Sequence, residues 1–387
     1  MPDISDLRQR QALPLSAKVL MSQNRIREWY EHWNGDVFVA FSGGKDSTVL
    51  AHIVHDIYPD VPLVFVNTGL EYPEIQAFAR KMGAEFVRPK MLFSEVISKY
   101  GYPIIGKEVA EAIYYARRIK TEATKQEGKI LHYIRSRAEL DGNRYIGKDG
   151  KTAIGGKEDS ELNELSPFNK KKWKQLCTDT HFMISHKCCD VIKKSPSGEY
   201  KRRTNKYPYM ATLAEESRMR TSIWLRFGCN SYSGRKNSRP MSFWTEQDVL
   251  QYIKDENLEI ASIYGNIVTT DADGMEYNNT LAQCGTLKCS GCQRTGCIFC
   301  GFGCHLEKGE TRFQRLAKTH PKQYEYCMGG GQWVDNPNYD PTAQKTDGDW
   351  QNWNPKKIWV PSKKGLGMKK VFDDCNQIYG KNFIRYE

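Results

Sequence analysis

Residues 36–47 read DVFVAFSGGKDS. Asp36–Phe41 is a run of Val, Ala and Phe, the composition of a buried strand. From Thr48 to Tyr58 the spacing changes, and Val49, Leu50, Ile53, Val54 and Ile57 fall on one helical stripe. The strand therefore breaks into a Gly-Gly turn and a helix follows. The first amides of a helix have no intrahelical acceptor. With the positive end of the helix dipole they form a seat for an anion such as phosphate. Gly43 and Gly44 let the main chain approach a ligand without a Cβ in the way. Lys45 adds a cation, and Ser42 and Ser47 add hydroxyl donors. This is not the G-x-x-x-x-G-K-[ST] loop: Val39 stands five residues before Gly44, and Asp46 follows Lys45 where Ser or Thr is required. Asp46 cannot face a phosphate without a cation between them, so it is expected to brace the turn or help hold Mg²⁺.

Outward from this turn, the alternation continues. Pro62–Asn67 reads as a second strand, Tyr72–Met82 as a helix and Glu85–Arg88 as a short strand. Apolar strands separated by amphipathic helices predict an α/β fold with a parallel sheet and right-handed crossovers. Ligands in such sheets sit at the carboxyl ends of the strands, where both SGGKDS and NTGLE (67–71) fall. Residues 1–35 read as a helical lead-in. Residues 104–176 interrupt the rhythm with a helix, Lys107–Ile119, and a glycine-containing loop that is an exposed insertion or a cover over a ligand. The nucleotide-type core is expected over 36–280, a Cys-rich segment over 281–330 and a tail over 331–387, whose Trp333, Trp350, Trp353 and Trp359 are candidates to pack back onto the body.

The chain of 387 residues carries a formal charge of +11, which favours anionic partners, nucleotides first and nucleic acid second. No run of eighteen apolar residues implies a membrane span, and the N-terminus lacks the apolar stretch of a signal peptide. A cytoplasmic location is expected. Six of the twelve cysteines lie between Cys284 and Cys304. In a reducing compartment such clusters are metal ligands or redox groups rather than disulfides.

Several segments together resemble one family. SGGKDS looks like the pyrophosphate loop (PP-loop) of the ATP-pyrophosphatase superfamily. NTGLEYPE (67–74), ATLAEESRMR (211–220) and RPMSFWTEQDVLQYI (239–253) resemble segments of its phosphoadenosine-phosphosulfate (PAPS) reductase branch, in the same order. The chain is most similar to stand-alone bacterial and phage members of that branch. The resemblance implies an adenine nucleotide alpha-hydrolase-like, Rossmann-like core. Its implied ligand is ATP, or PAPS or adenylylsulfate, held with Mg²⁺ by Ser42, Gly43, Gly44, Lys45, Asp46 and Ser47. Asn67, Thr68 and Glu71 would meet ribose or adenine, and Glu215 would join the site. Lys45, Asp46, Arg218 and Arg220 would serve the chemistry.

Cys188-Cys189 and Cys297-Ile-Phe-Cys300 look like the ligand set of a [4Fe–4S] cluster in adenylylsulfate-reducing relatives. A zinc site on Cys289, Cys292, Cys297 and Cys300 competes with it, as do free thiols without metal. One family feature is missing. The reductases carry a nucleophilic cysteine in an ECGLH-like tail, whereas Cys375 lies in DDCNQIYG. The resemblance therefore implies adenylation of a substrate with release of pyrophosphate, for sulfur transfer. Nucleic acid is a candidate acceptor and a separate protein a candidate sulfur donor. Reduction of adenylylsulfate or PAPS, and nucleotide binding without catalysis, are the alternatives.

Overall fold

A computed structural model of the chain describes residues 3–118, 136–142, 169–270, 276–277, 285–342 and 353–387. Most of the glycine-containing loop at 141–160, together with Cys284 and Trp350, lies outside these residues. The chain forms two compact units, Met1–Lys90 with Ile192–Cys297, and Met91–Val191 with Ile298–Glu387.

The first unit begins with two helices, α1 (Ile4–Gln11) and α2 (Leu15–His32). The strands β1 (Val37–Phe41), β2 (Leu63–Val66) and β3 (Glu85–Val87) alternate with the helices α3 (Lys45–His55) and α4 (Pro73–Lys81). The sheet has six strands in the order β3, β2, β1, Tyr207–Tyr209, Asn237–Ser238, Asn230–Ser231. All neighbours are parallel except the last pair. β1 sits inside, with Val39 opposite Leu63 on one side and Tyr209 on the other. Its near-continuous apolar sequence follows from burial on both faces. The fold is thus the mostly parallel, Rossmann-like α/β architecture expected from the strand–helix alternation.

Two differences from the sequence reading concern helix ends. α3 begins at Lys45, three residues before the expected Thr48, because Gly44 acts as N-cap and its carbonyl accepts from Thr48 N–H. The turn is therefore directly continuous with the helix. α4 starts at Pro73, whose ring presets the first helical φ and whose missing N–H is not needed there. Val49, Leu50, Ala51, Ile53 and Val54 of α3 are all buried, so this helix is anchored around most of its circumference. The sequence after the sheet continues as a three-stranded antiparallel ribbon with Thr286–Cys289 at one edge, Ile267–Thr270 in the middle and Glu276–Tyr277 at the other edge.

The second unit is helical with two small strand pairs. Ile104–Ile105 pairs with Gly301–Phe302, and Gln332–Asp335 pairs with Lys357–Val360. The Arg117 guanidinium donates to the carbonyls of Leu176, Cys177 and Phe182 and to Thr180 Oγ1, and it lies 4.1 Å from the Trp353 ring centroid. Trp353 itself donates to Thr180 O, and Trp333 and Trp359 contact edge to face. The tail tryptophans Trp333, Trp353 and Trp359 thus pack within this unit. Among the described residues no helix is long and apolar enough to cross a membrane.

Candidate functional site

The turn between β1 and α3 is tightly built. Gly43 has φ +70°, and a Cβ there would stand 2.8 Å from Ile75 Cγ2. Gly44 would bring a Cβ within 3.2 Å of both Ser42 Oγ and Tyr264 Oη. Ser47 Oγ donates to the Gly44 carbonyl at 2.9 Å, and Ser42 N–H donates to Ser47 Oγ at 3.2 Å. The two serine hydroxyls are 3.0 Å apart, and Gly44 N–H donates to Ser42 Oγ. The Tyr264 hydroxyl stands beside the same turn, 3.2 Å from the place of a Gly44 Cβ. The Gly44 amide is thus met by a hydroxyl rather than by a carbonyl. A hydroxyl can rotate to donate to an incoming oxyanion, and a carbonyl cannot.

Charge gathers at the same point. Lys45 is buried, and its Nζ lies 2.8 Å from Glu246 Oε1 and 3.2 Å from the Gln293 carbonyl. Asp46 Oδ1 is buried and accepts no hydrogen bond among the described residues. Burial raises the Asp46 pKa above the usual carboxylate value, while Lys45, Arg294 and Arg220 pull it down. Arg220 pairs closely with Glu216, and Arg294 Nη2 lies 3.8 Å from the same carboxylate. Burial lowers the Arg220 pKa, and the neighbouring charge of Arg294 lowers it further. Three cations, Lys45, Arg220 and Arg294, therefore surround the start of α3.

A cavity of about 210 Å³ opens beside the turn. Its floor is Phe38, Ala40, Val64 and Val66 of β1 and β2, and its rim carries Ser42, Glu71, Lys193, Ser197 and Thr295. An apolar floor with a few polar groups at the rim is the usual form of a small-molecule site. Glu71 also holds its own turn, since its carboxylate accepts from Thr68 N–H at 3.0 Å and from Thr68 Oγ1 at 2.6 Å. Asn67 Oδ1 accepts from Gly69 N–H. Of the NTGLE residues, Glu71 reaches the cavity, while Asn67 and Thr68 shape the turn that presents it.

The remaining expected residues divide. Glu215 accepts from the Glu246 amide at 2.6 Å, which caps the helix Glu246–Asp255 and steadies the carboxylate partner of Lys45. Arg220 is within electrostatic reach of the turn, whereas Arg218 is exposed. Glu246, Tyr264, Arg294, Thr295 and Lys193 belong to the site and escaped the sequence reading. Arg294-Thr295 was masked by the two C-x-x-C units on either side of it, and no local signal marks Tyr264.

The Cys188 and Cys189 sulfurs lie 3.9 Å apart, which suits two neighbouring ligands. Cys289 and Cys292 are buried, and burial raises the pKa of the Cys289 thiol. Among the described residues no group of three or more His, Cys, Asp or Glu is placed to hold a metal ion. Cys188, Cys189 and Cys300 fall in the second unit, and Cys289, Cys292 and Cys297 in the first. Asp46 fits Mg²⁺, because its buried oxygen, without a hydrogen-bond partner among the described residues, lies beside the glycine turn.

Fold and site together define an α/β protein with a glycine turn at the carboxyl edge of a mostly parallel sheet. A family model described as "phosphoadenosine phosphosulfate reductase domain" matches residues 36–301. The chain belongs to the PAPS reductase family. It is 28% identical over 103 residues to an adenosine 5'-phosphosulfate reductase of Staphylococcus haemolyticus, covering 24% of this chain and 42% of that protein. It is 37% identical over 84 residues to an uncharacterized protein of Methanocaldococcus jannaschii, covering 20% of this chain and 18% of the relative. The chain thus spans less than half the length of these curated relatives. A crystal structure of PAPS reductase from Candida auris in a phosphate complex matches with a TM-score of 0.32 at 11% identity, over 68% of this chain and 91% of that one.

Proposed function

We propose that this chain is an enzyme that binds ATP or a related adenosine nucleotide and cleaves it at the α-phosphorus. An acceptor oxygen bonds to that phosphorus, the bond to the bridging oxygen breaks, and pyrophosphate leaves with the electron pair. The adenylated position is then open to displacement by sulfur. One observation carries the reading: Lys45, Arg220 and Arg294 gather around a glycine turn that borders an apolar cavity.

In this reading adenosine lies over Ala40, Val64 and Val66, with Glu71 at the rim of its pocket. The phosphates run toward the turn. Lys45 releases Glu246 and neutralises the oxygens on which charge develops as pyrophosphate departs. The amides at the start of α3 and the hydroxyls of Ser42 and Ser47 hold that geometry without reorganisation. Asp46 would hold Mg²⁺, which supplies charge neutralisation on the phosphate chain.

Reduction of adenylylsulfate or PAPS uses the same nucleotide pocket, and the reductase names of the matched relatives favour it. Against it stands the thiol inventory. Cys375 is fully buried and its pKa is raised by that burial, so it is poorly placed as a nucleophile. The assay that separates the readings supplies ATP with Mg²⁺ and, in parallel, adenylylsulfate or PAPS with thioredoxin. Pyrophosphate release that is lost in Lys45→Ala supports adenylation. Sulfite release replaces that reading with reduction. Tight nucleotide binding without either product leaves a binding module. Nucleic acid as the acceptor predicts RNA or DNA binding that weakens steeply with salt.

A further inference from the structure

The segment Cys289–Gly296 reads CSGCQRTG, and its last four residues stand against the anion turn. Gln293 offers its carbonyl to Lys45 Nζ. Its side-chain amide folds back on Cys289, accepting from the Cys289 N–H at 3.3 Å. Thr295 Oγ1 lies 2.5 Å from Tyr264 Oη, the hydroxyl that stands beside Gly44 of the turn. Thr295 and Gly296 line the cavity. The segment is pinned from below as well, because Gly291 N–H donates to the Tyr264 carbonyl and Cys292 N–H to that of Ile263. Main-chain bonds thus hold its position, while the side chain of Arg294 projects into solvent with 59% of its surface exposed.

Arg294 and Arg220 share Glu216. Arg220 makes the close contact and Arg294 the loose one, at 3.8 Å. Glu216 is held in place by a second task, accepting from the Leu213 amide at 3.0 Å. An exposed guanidinium at that distance gains little from its carboxylate and is inexpensive to redirect. Its planar fork suits two oxygens of one phosphate.

We infer that Arg294 and the hydroxyl pair Tyr264–Thr295 form an oxyanion subsite for the outer phosphates of the nucleotide, resting on the nucleotide-binding reading above. Arg294 leaves Glu216 for the terminal phosphate. The two hydroxyls turn their protons from each other toward a nearer phosphate oxygen. Arg294 then discriminates by phosphate number. A nucleotide with a long phosphate chain gains its contact, and a monophosphate does not reach it.

Calorimetric titration of ATP, ADP, AMP and adenosine into the full chain tests this, in the wild type and in Arg294→Ala, Arg294→Lys and Thr295→Val. Arg294→Ala is expected to weaken ATP about tenfold or more and to leave AMP unchanged, with partial recovery in Arg294→Lys. Thr295→Val is expected to weaken ATP by a smaller factor. Wild-type affinity for ATP in Arg294→Ala, or an equal loss for AMP and ATP, overturns the subsite and leaves the nucleotide site standing. A wild type that binds none of the four ligands overturns both readings at once. Because Arg294 is exposed and its neighbours are fixed by main-chain bonds, its removal leaves the fold intact, which circular dichroism of each variant checks.

Discussion

Gly43 shows how much one residue decides in this site. Its φ of +70° lies in the region that L side chains rarely enter, and the space where a Cβ would go is filled by Ile75. Both constraints act on the turn that aims the first amides of α3. Gly43→Ala is expected to cost about 1–3 kcal/mol of strain. It should also abolish nucleotide binding, because relief of the clash moves the turn. Thermal melting and nucleotide titration read the two effects separately. The cysteines make a second residue-scale case. Burial pushes the Cys304 thiol up to about 12, and its Sγ donates to the Gly301 carbonyl. Its folded pKa lies above the ordinary value of 9.0, so the stability it contributes is present below that value and lost as pH rises through about 12. Alkylation of the metal-free folded chain at pH 8 should therefore modify the partly exposed Cys189, Cys297 and Cys300 before Cys304, Cys327 and Cys375. Labelling of Cys375 at the rate of an open thiol would restore the missing nucleophile and with it the reductase reading.

At the scale of elements, the helix Glu246–Asp255 connects the lead-in to the site. Thr245 and Asp248 form a reciprocal cap at its start. Lys18 of α2, itself buried, places its Nζ 2.8 and 2.7 Å from the two oxygens of Asp248. One residue into the same helix, Glu246 pairs with Lys45. Removing Lys18 leaves the Asp248 carboxylate without its cation in a nearly closed environment. Lys18→Ala is expected to destabilise the first unit by about 3 kcal/mol, the low end for a broken buried pair because the cap still donates to Asp248. Urea denaturation measures it, and a loss below half a kcal/mol would show that the pair is not coupled to folding. From sequence, α2 reads only as part of a helical lead-in. Its load on the site passes through an ion pair whose partners are 230 residues apart, and no local pattern carries that information.

For the whole molecule, ligand linkage gives the broadest test. ATP at about a hundred times its dissociation constant should stabilise the first unit by about 2.7 kcal/mol. The melting temperature should rise accordingly, and Lys45→Ala should remove the rise. A melting curve indifferent to ATP, ADP and adenylylsulfate alike would count against every nucleotide reading.

The division between sequence and structure follows from range. The strand, the glycine turn and the α3 stripe are local patterns, because each depends on burial and dihedral preferences within about a dozen residues. From them the α/β class, the parallel sheet and the position of the turn at its carboxyl edge were all legible. The family followed from short segments in a fixed order. The partners of the site were not legible. Glu246, Tyr264, Arg294 and Thr295 arrive at the turn from the far half of the chain, and their meeting depends on how the sheet and the 289–296 segment pack. Only the tertiary structure could say that Thr68 spends its hydroxyl on Glu71, that Glu215 caps a helix, or that Arg294 rather than Arg218 stands beside Asp46. Side-chain type is written in the chain, whereas the distance between two charges is set by packing.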